Sequence, residues 1–151
     1  MLLDKAYLFQ ALSEDTKREI GKIGVEESHE KGQFLFNTGD AAEYFYTLVE
    51  GRVRLSVGGT GHIASLVSEP GEMLGWSTMV EAETYTASAE CLVPVKVLKF
   101  QGKQLAEALA RDPAGASIFY KRLAELIGRR LAASYGATLS VYGSREHKYW
   151  G

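Results

Sequence analysis

A single cysteine, Cys91, in 151 residues excludes any disulfide within the chain. It lies in an apolar, strand-like stretch without a cationic neighbour, which predicts a buried and inert thiol. No apolar run approaches the ~18 residues that a membrane span needs. The opening, MLLDKAYLFQALSEDTKREIGKIG, is too charged for a secretory leader, so the expected place is the cytoplasm. The three histidines, His29, His62 and His147, are scattered with no His-x-His, and no nucleophile–base pair stands out. A metal site, a cofactor and enzyme activity are therefore not expected. One charge sign does not dominate either. The net charge is −2, without the basic balance of a DNA reader.

What is present is ordinary for one soluble domain: 46% hydrophobic and 24% charged residues. Sixteen glycines indicate many turns, and eight tyrosines with six phenylalanines favour strands. The charge is uneven. From Ala116 onward six basic residues face two acidic ones, giving +4 and leaving −6 for the rest. The plain reading is a solvated helix face, the other a basic docking surface.

Three regions follow one another. In residues 1–24, Leu8, Leu12, Ile20 and Ile23 sit among polar residues, and Ser13 before Glu14 and Asp15 looks like an N-cap, so two short helices are expected. Residues 26–100 hold short apolar runs broken by turn residues, as in a sandwich or barrel. Val53, Leu55 and Val57 alternate with Arg52, Arg54 and Ser56, which places the arginines outward. Residues 44–49 are apolar at nearly every position, consistent with cover on both faces, and Gly58-Gly59-Thr60-Gly61 signals a hairpin. Residues 103–140 read as helices: one over 103–111, stopped by Asp112-Pro113, and a longer one from about 114 to 138. Phe119, Leu123, Leu126, Ile127, Leu131, Tyr135 and Leu139 form its apolar stripe. Residues 141–151 read as an irregular tail.

This order of elements resembles a known family. NTGDAAEYFYTLVEGRVRLSV, with Gly39, Asp40 and Gly51, is similar to the opening strands of cyclic-nucleotide-binding domains. EPGEMLGWSTMVEAETYTASAECLVPVKVLKF is similar to their phosphate-binding cassette, and QGKQLAEALARDPAGASIFYKRLAELIGRRL to the closing helices of catabolite-activator and fumarate–nitrate regulators. The resemblance spans about residues 7 to 140. It implies a mainly β jelly roll with N-terminal helices and a long C-terminal helix that often pairs in a homodimer. Phe119, Leu123, Leu126, Gly128 and Leu131 are the expected dimer residues. The helix-turn-helix domain that follows in those regulators would need roughly 60 more residues, so direct DNA binding is not expected.

Two departures bear on function. The family usually has Glu after the cassette glycine; here Trp76 follows Gly75. The arginine that pairs with the cyclic phosphate falls on Tyr85, while Thr86 and Ala87 keep the pattern. Losing a charge-assisted contact to a desolvated phosphate costs on the order of 2–5 kcal/mol, or roughly 30- to 3000-fold in affinity. Weak or absent binding of ordinary cyclic AMP or GMP is therefore expected. A different ligand, anionic or planar, would meet the turn after Gly75, the hydroxyls of Ser77 and Thr86, and the rings of Trp76 and Tyr85. Ser134 and Tyr135 fall near the positions that cap the ligand in the resembled family. The alternatives are a ligand-free dimerisation or protein-docking module, with Trp76 and Tyr85 packed together to close the cavity, and a genuine cyclic-nucleotide binder using unusual contacts.

Overall fold

The computed structural model describes residues 2–57 and 62–142. The expectations for residues 58–61 and 143–151 lie outside the described residues. A 3₁₀ turn, Leu2–Lys5, comes first, then helix α1 (Glu14–Ile23). Ser13 caps α1 by accepting from the Thr16 amide at 3.2 Å. At the other end the Gly24 amide donates to the Ile20 carbonyl.

Eight strands follow: β1 (Val25–His29), β2 (Phe34–Phe36), β3 (Tyr44–Glu50), β4 (Val53–Val57), β5 (His62–Val67), β6 (Met73–Leu74), β7 (Ser88–Cys91) and β8 (Val95–Gln101). They form two antiparallel four-stranded sheets, ordered β1-β8-β3-β6 and β2-β7-β4-β5. This is the expected jelly roll. The turn from β3 to β4 requires Gly51, because its φ is +112° and a Cβ there would lie 2.7 Å from the Pro94 carbonyl oxygen. Strand β3 is covered on both faces, with Phe45, Tyr46, Thr47 and Leu48 all buried. In β4 the alternation holds for Val53 and Leu55, but Val57 at the strand end is exposed. Arg54 points outward and donates to Glu90 of β7 at 2.6 Å. Cys91 is fully buried, and burial pushes its thiol pKa up.

Helix α2 (Gly102–Ala110) leads to α3 (Pro113–Tyr142), which starts at the proline that ends α2. Asp112 sits at the joint. Its carboxylate accepts from the Ser13 amide at 2.9 Å and the Gly115 amide at 3.1 Å, tying the start of α1 to the start of α3.

The core has two parts. Tyr46, Leu48, Val53, Leu55, Leu74 and Val97 fill the space between the sheets. Leu3, Leu8, Phe9, Leu12 and Ile20 pack outside with Phe45, Phe100, Phe119 and Leu123. Phe9 is the hub: its ring lies 6.5 Å from Phe45, 5.8 Å from Phe100 and 5.5 Å from Phe119.

The five residues expected at a dimer seam differ in burial. Phe119 and Leu123, 0% and 1% exposed, are spent on the protomer's own core, and Leu126 packs partly against the same cluster. Only Gly128 and Leu131 of the five lie open, Leu131 at 50% exposure. The sequence stripe merged two faces, because a helix docked on a barrel and a helix docked on a twin show the same period.

Candidate functional site

The cassette turn leaves β6 through Gly75, whose φ of +76° and 2.8 Å approach of its missing Cβ to the Tyr44 carbonyl exclude a side chain. Residues Trp76–Val80 then form a single 3₁₀ segment, with Ser77 and Met79 buried. The segment ends at Glu81, the one non-glycine residue with positive φ, 59°, among the described residues. Behind it, α2 begins against the turn: a Cβ on Gly102 would stand 2.0 Å from the Thr78 hydroxyl oxygen.

The opposite wall is held by the NTGD loop. The Asn37 amide donates to the Asp40 carboxylate at 3.0 Å. The Gly39 amide donates to the Tyr85 carbonyl, and the Tyr85 amide to the Asp40 carbonyl, both at 3.0 Å. These bonds fix Tyr85 and place Thr86 and Ala87 beside the cassette turn.

Six residues expected from sequence, Gly75, Trp76, Ser77, Tyr85, Thr86 and Ala87, line one cavity with Phe36 and Leu55. Ser134 and Tyr135 are not brought to it; they stand on α3 about a turn beyond the helix residue that is. The cavity measures about 20 Å³, room for roughly one water molecule.

Tyr85 and Trp76 do not close it by packing on each other. The Tyr85 ring stacks on Phe36 with centroids 4.0 Å apart. Its hydroxyl accepts from the Tyr44 amide at 3.0 Å and donates to the Tyr44 carbonyl at 2.6 Å. Burial raises its pKa, so the phenol stays protonated and engaged. Trp76 instead packs, partly buried, against the outer core cluster.

The remaining lining residue is Arg130 of α3, which sequence reasoning had assigned to the basic helix face. The guanidinium donates to the Met73 carbonyl at 2.5 Å and lies 3.5 Å from its sulfur. Burial lowers its pKa, and the Glu72 carboxylate opposes that shift. An arginine still carries its charge under these conditions. A signal was present. Arg130 follows Leu123 and Ile127 by steps of four and three, which puts a cation on the inward stripe.

Among the described residues no helix is long and apolar enough to cross a membrane, and no group of His, Cys, Asp and Glu could hold a metal ion. A family model described as the cyclic nucleotide-binding domain matches residues 26–112. The chain is similar to a protein of Geobacter metallireducens GS-15 described as a cyclic nucleotide-binding protein, with 26% identity and a TM-score of 0.74, covering 85% of this chain and 95% of that one. The N-terminal domain of a transcriptional regulator from Streptomyces coelicolor A3(2) shares 25% identity at a TM-score of 0.68, covering 85% and 94%. The sensor domain of the transcriptional regulator DNR from Pseudomonas aeruginosa shares the fold, with 24% identity and a TM-score of 0.72 over 87% and 89%. No curated protein sequence matches the chain.

Proposed function

Since the chain belongs to the cyclic nucleotide-binding domain family, we propose that it is a regulatory sensor domain whose cassette has turned away from ordinary cyclic AMP and GMP toward a smaller ligand. Tyr85 carries this reading. It stands where the resembled family places its phosphate-pairing arginine, and its single hydroxyl is committed to the Tyr44 backbone. A phosphodiester arriving there would meet the edge of a stacked aromatic pair. Trp76 likewise offers no acceptor for a ribose hydroxyl. A cavity of about 20 Å³ is also far below the roughly 300 Å³ at which small-molecule sites begin.

The signal leaves through α3, a helix of 30 residues that lines the cavity through Arg130 and runs on past it to Tyr142. Calorimetry tests the ligand claim. Cyclic AMP and cyclic GMP at tens of micromolar are expected to give no saturable heat, and low-micromolar binding of either overturns the reading. The double change Trp76→Glu with Tyr85→Arg is expected to gain cyclic-nucleotide affinity, by roughly 30-fold or more if the frame accepts the arginine.

A second reading, a ligand-free dimerisation or docking module, is favoured by the small volume of the cavity. It predicts that no small anion or nucleotide changes the environment of Trp76.

A further inference from the structure

Among the described residues, the wall of the cassette cavity contains a single charged side chain, and it comes from outside the cassette. We propose that Arg130 of α3 is the anion-binding residue of this site and that its ligand is a small oxyanion of the phosphate class. The proposal rests on the reading above that the cavity is the ligand site.

The guanidinium is mostly withdrawn from water, and the Glu72 carboxylate acts on it without a hydrogen bond or a close ion pair among the described residues. Its contacts are a neutral carbonyl and a thioether, both of Met73. A guanidinium carries five N–H donors in a planar fork, more than Met73 satisfies. A desolvated cation with no carboxylate at hydrogen-bonding distance is costly, and an oxyanion taking two parallel N–H bonds is the acceptor its shape suits. Ser77 and Thr86 stand in the same wall with hydroxyl groups.

The volume shows that the site must open before any anion enters. A nucleotide has no room while Arg130 lies against Met73, and neither does a phosphate. Entry therefore requires the fork to exchange the Met73 carbonyl for the anion. That exchange removes a direct bond between α3 and β6 and replaces it with one through the ligand. Occupancy and the seating of α3 then become one equilibrium, since the anion prefers the seating that presents the fork to it.

Fluorescence of Trp76 reads this directly. The chain has two tryptophans, so Trp150→Phe leaves Trp76 as the reporter. Inorganic phosphate is titrated against sodium chloride at matched ionic strength. The expected result is a saturable change with phosphate and none with chloride. Arg130→Gln should weaken the phosphate response roughly 30-fold or more. Arg130→Lys, which keeps the charge without the fork, should fall between and serves if the glutamine variant does not fold. An unchanged phosphate response in Arg130→Gln, or no response in the parent, overturns the proposal. Cyclic AMP calorimetry on the same samples separates the two readings. Tight binding that needs Arg130 overturns the exclusion of ordinary cyclic nucleotides while upholding Arg130 as the anion residue. Silence toward both ligands overturns the anion proposal alone.

Discussion

The Tyr85 phenol finds both its partners in one residue's backbone. The ring adds a stack on Phe36, so the residue has become part of the inter-sheet core. Tyr85→Phe keeps the stack and strands the Tyr44 amide and carbonyl. The expected loss is about 1–3 kcal/mol of unfolding free energy, read from urea midpoints at unchanged slope. Phe36→Ala, which removes the stacking partner itself, should cost more, about 3–5 kcal/mol. Had Tyr85 faced a ligand, the first change would alter binding and leave stability alone.

Among the elements, α3 repays the closest comparison between pattern and fold. Its existence and its start after Asp112 were legible, because a proline cannot continue α2 and can begin α3. The strand region was legible for a similar reason: Gly51 and Gly75 sit where only glycine can turn. The division of labour within α3 was not. Leu123 and Leu131 belong to one apolar series in sequence, yet the first is buried and the second half-exposed. Arg130 reads as surface beside Arg129, Arg122 and Lys121, although its spacing from Leu123 and Ile127 puts it on the inward stripe, where it meets β6. Ser77, Thr86 and Ala87 meet in one cavity wall because the cassette turn and the long-range bonds of the NTGD loop to Tyr85 bring them there.

Asp112 gives this scale its own prediction. The Ser13 and Gly115 amides bond to its carboxylate and hold its pKa below the ordinary 3.8. A group lowered in this way stabilises the fold above its unfolded pKa, and that contribution is lost as pH falls through the folded value. Asp112→Asn should therefore melt below the parent protein at pH 6, with the gap closing as the pH is taken below about 3.8. A gap that persists unchanged at acid pH would show that the ionised form is not what joins the two helices.

For the whole molecule, the open question is how a signal is passed on. Residues of α3 up to Leu123 hold the protomer together, while Gly128 and Leu131 remain open. The two sets can be separated by mutation. If α3 pairs with a second copy, Leu131→Lys should shift light-scattering mass from dimer to monomer and leave the protomer's thermal midpoint nearly unchanged. Leu123→Ala should instead cost about 2–5 kcal/mol of protomer stability. A parent protein that is monomeric at high concentration removes the dimer from the account.

The Phe9 hub also sets an order of events during folding. Its ring waits for Phe119, more than a hundred positions later in the chain. Contacts that distant form slowly, because the intervening chain must first be brought together. On the ribosome, Phe9 would meet Phe45 and Phe100 of the strands first, and its packing would close only when α3 arrived. A helix made late thus completes the seat of a segment made early.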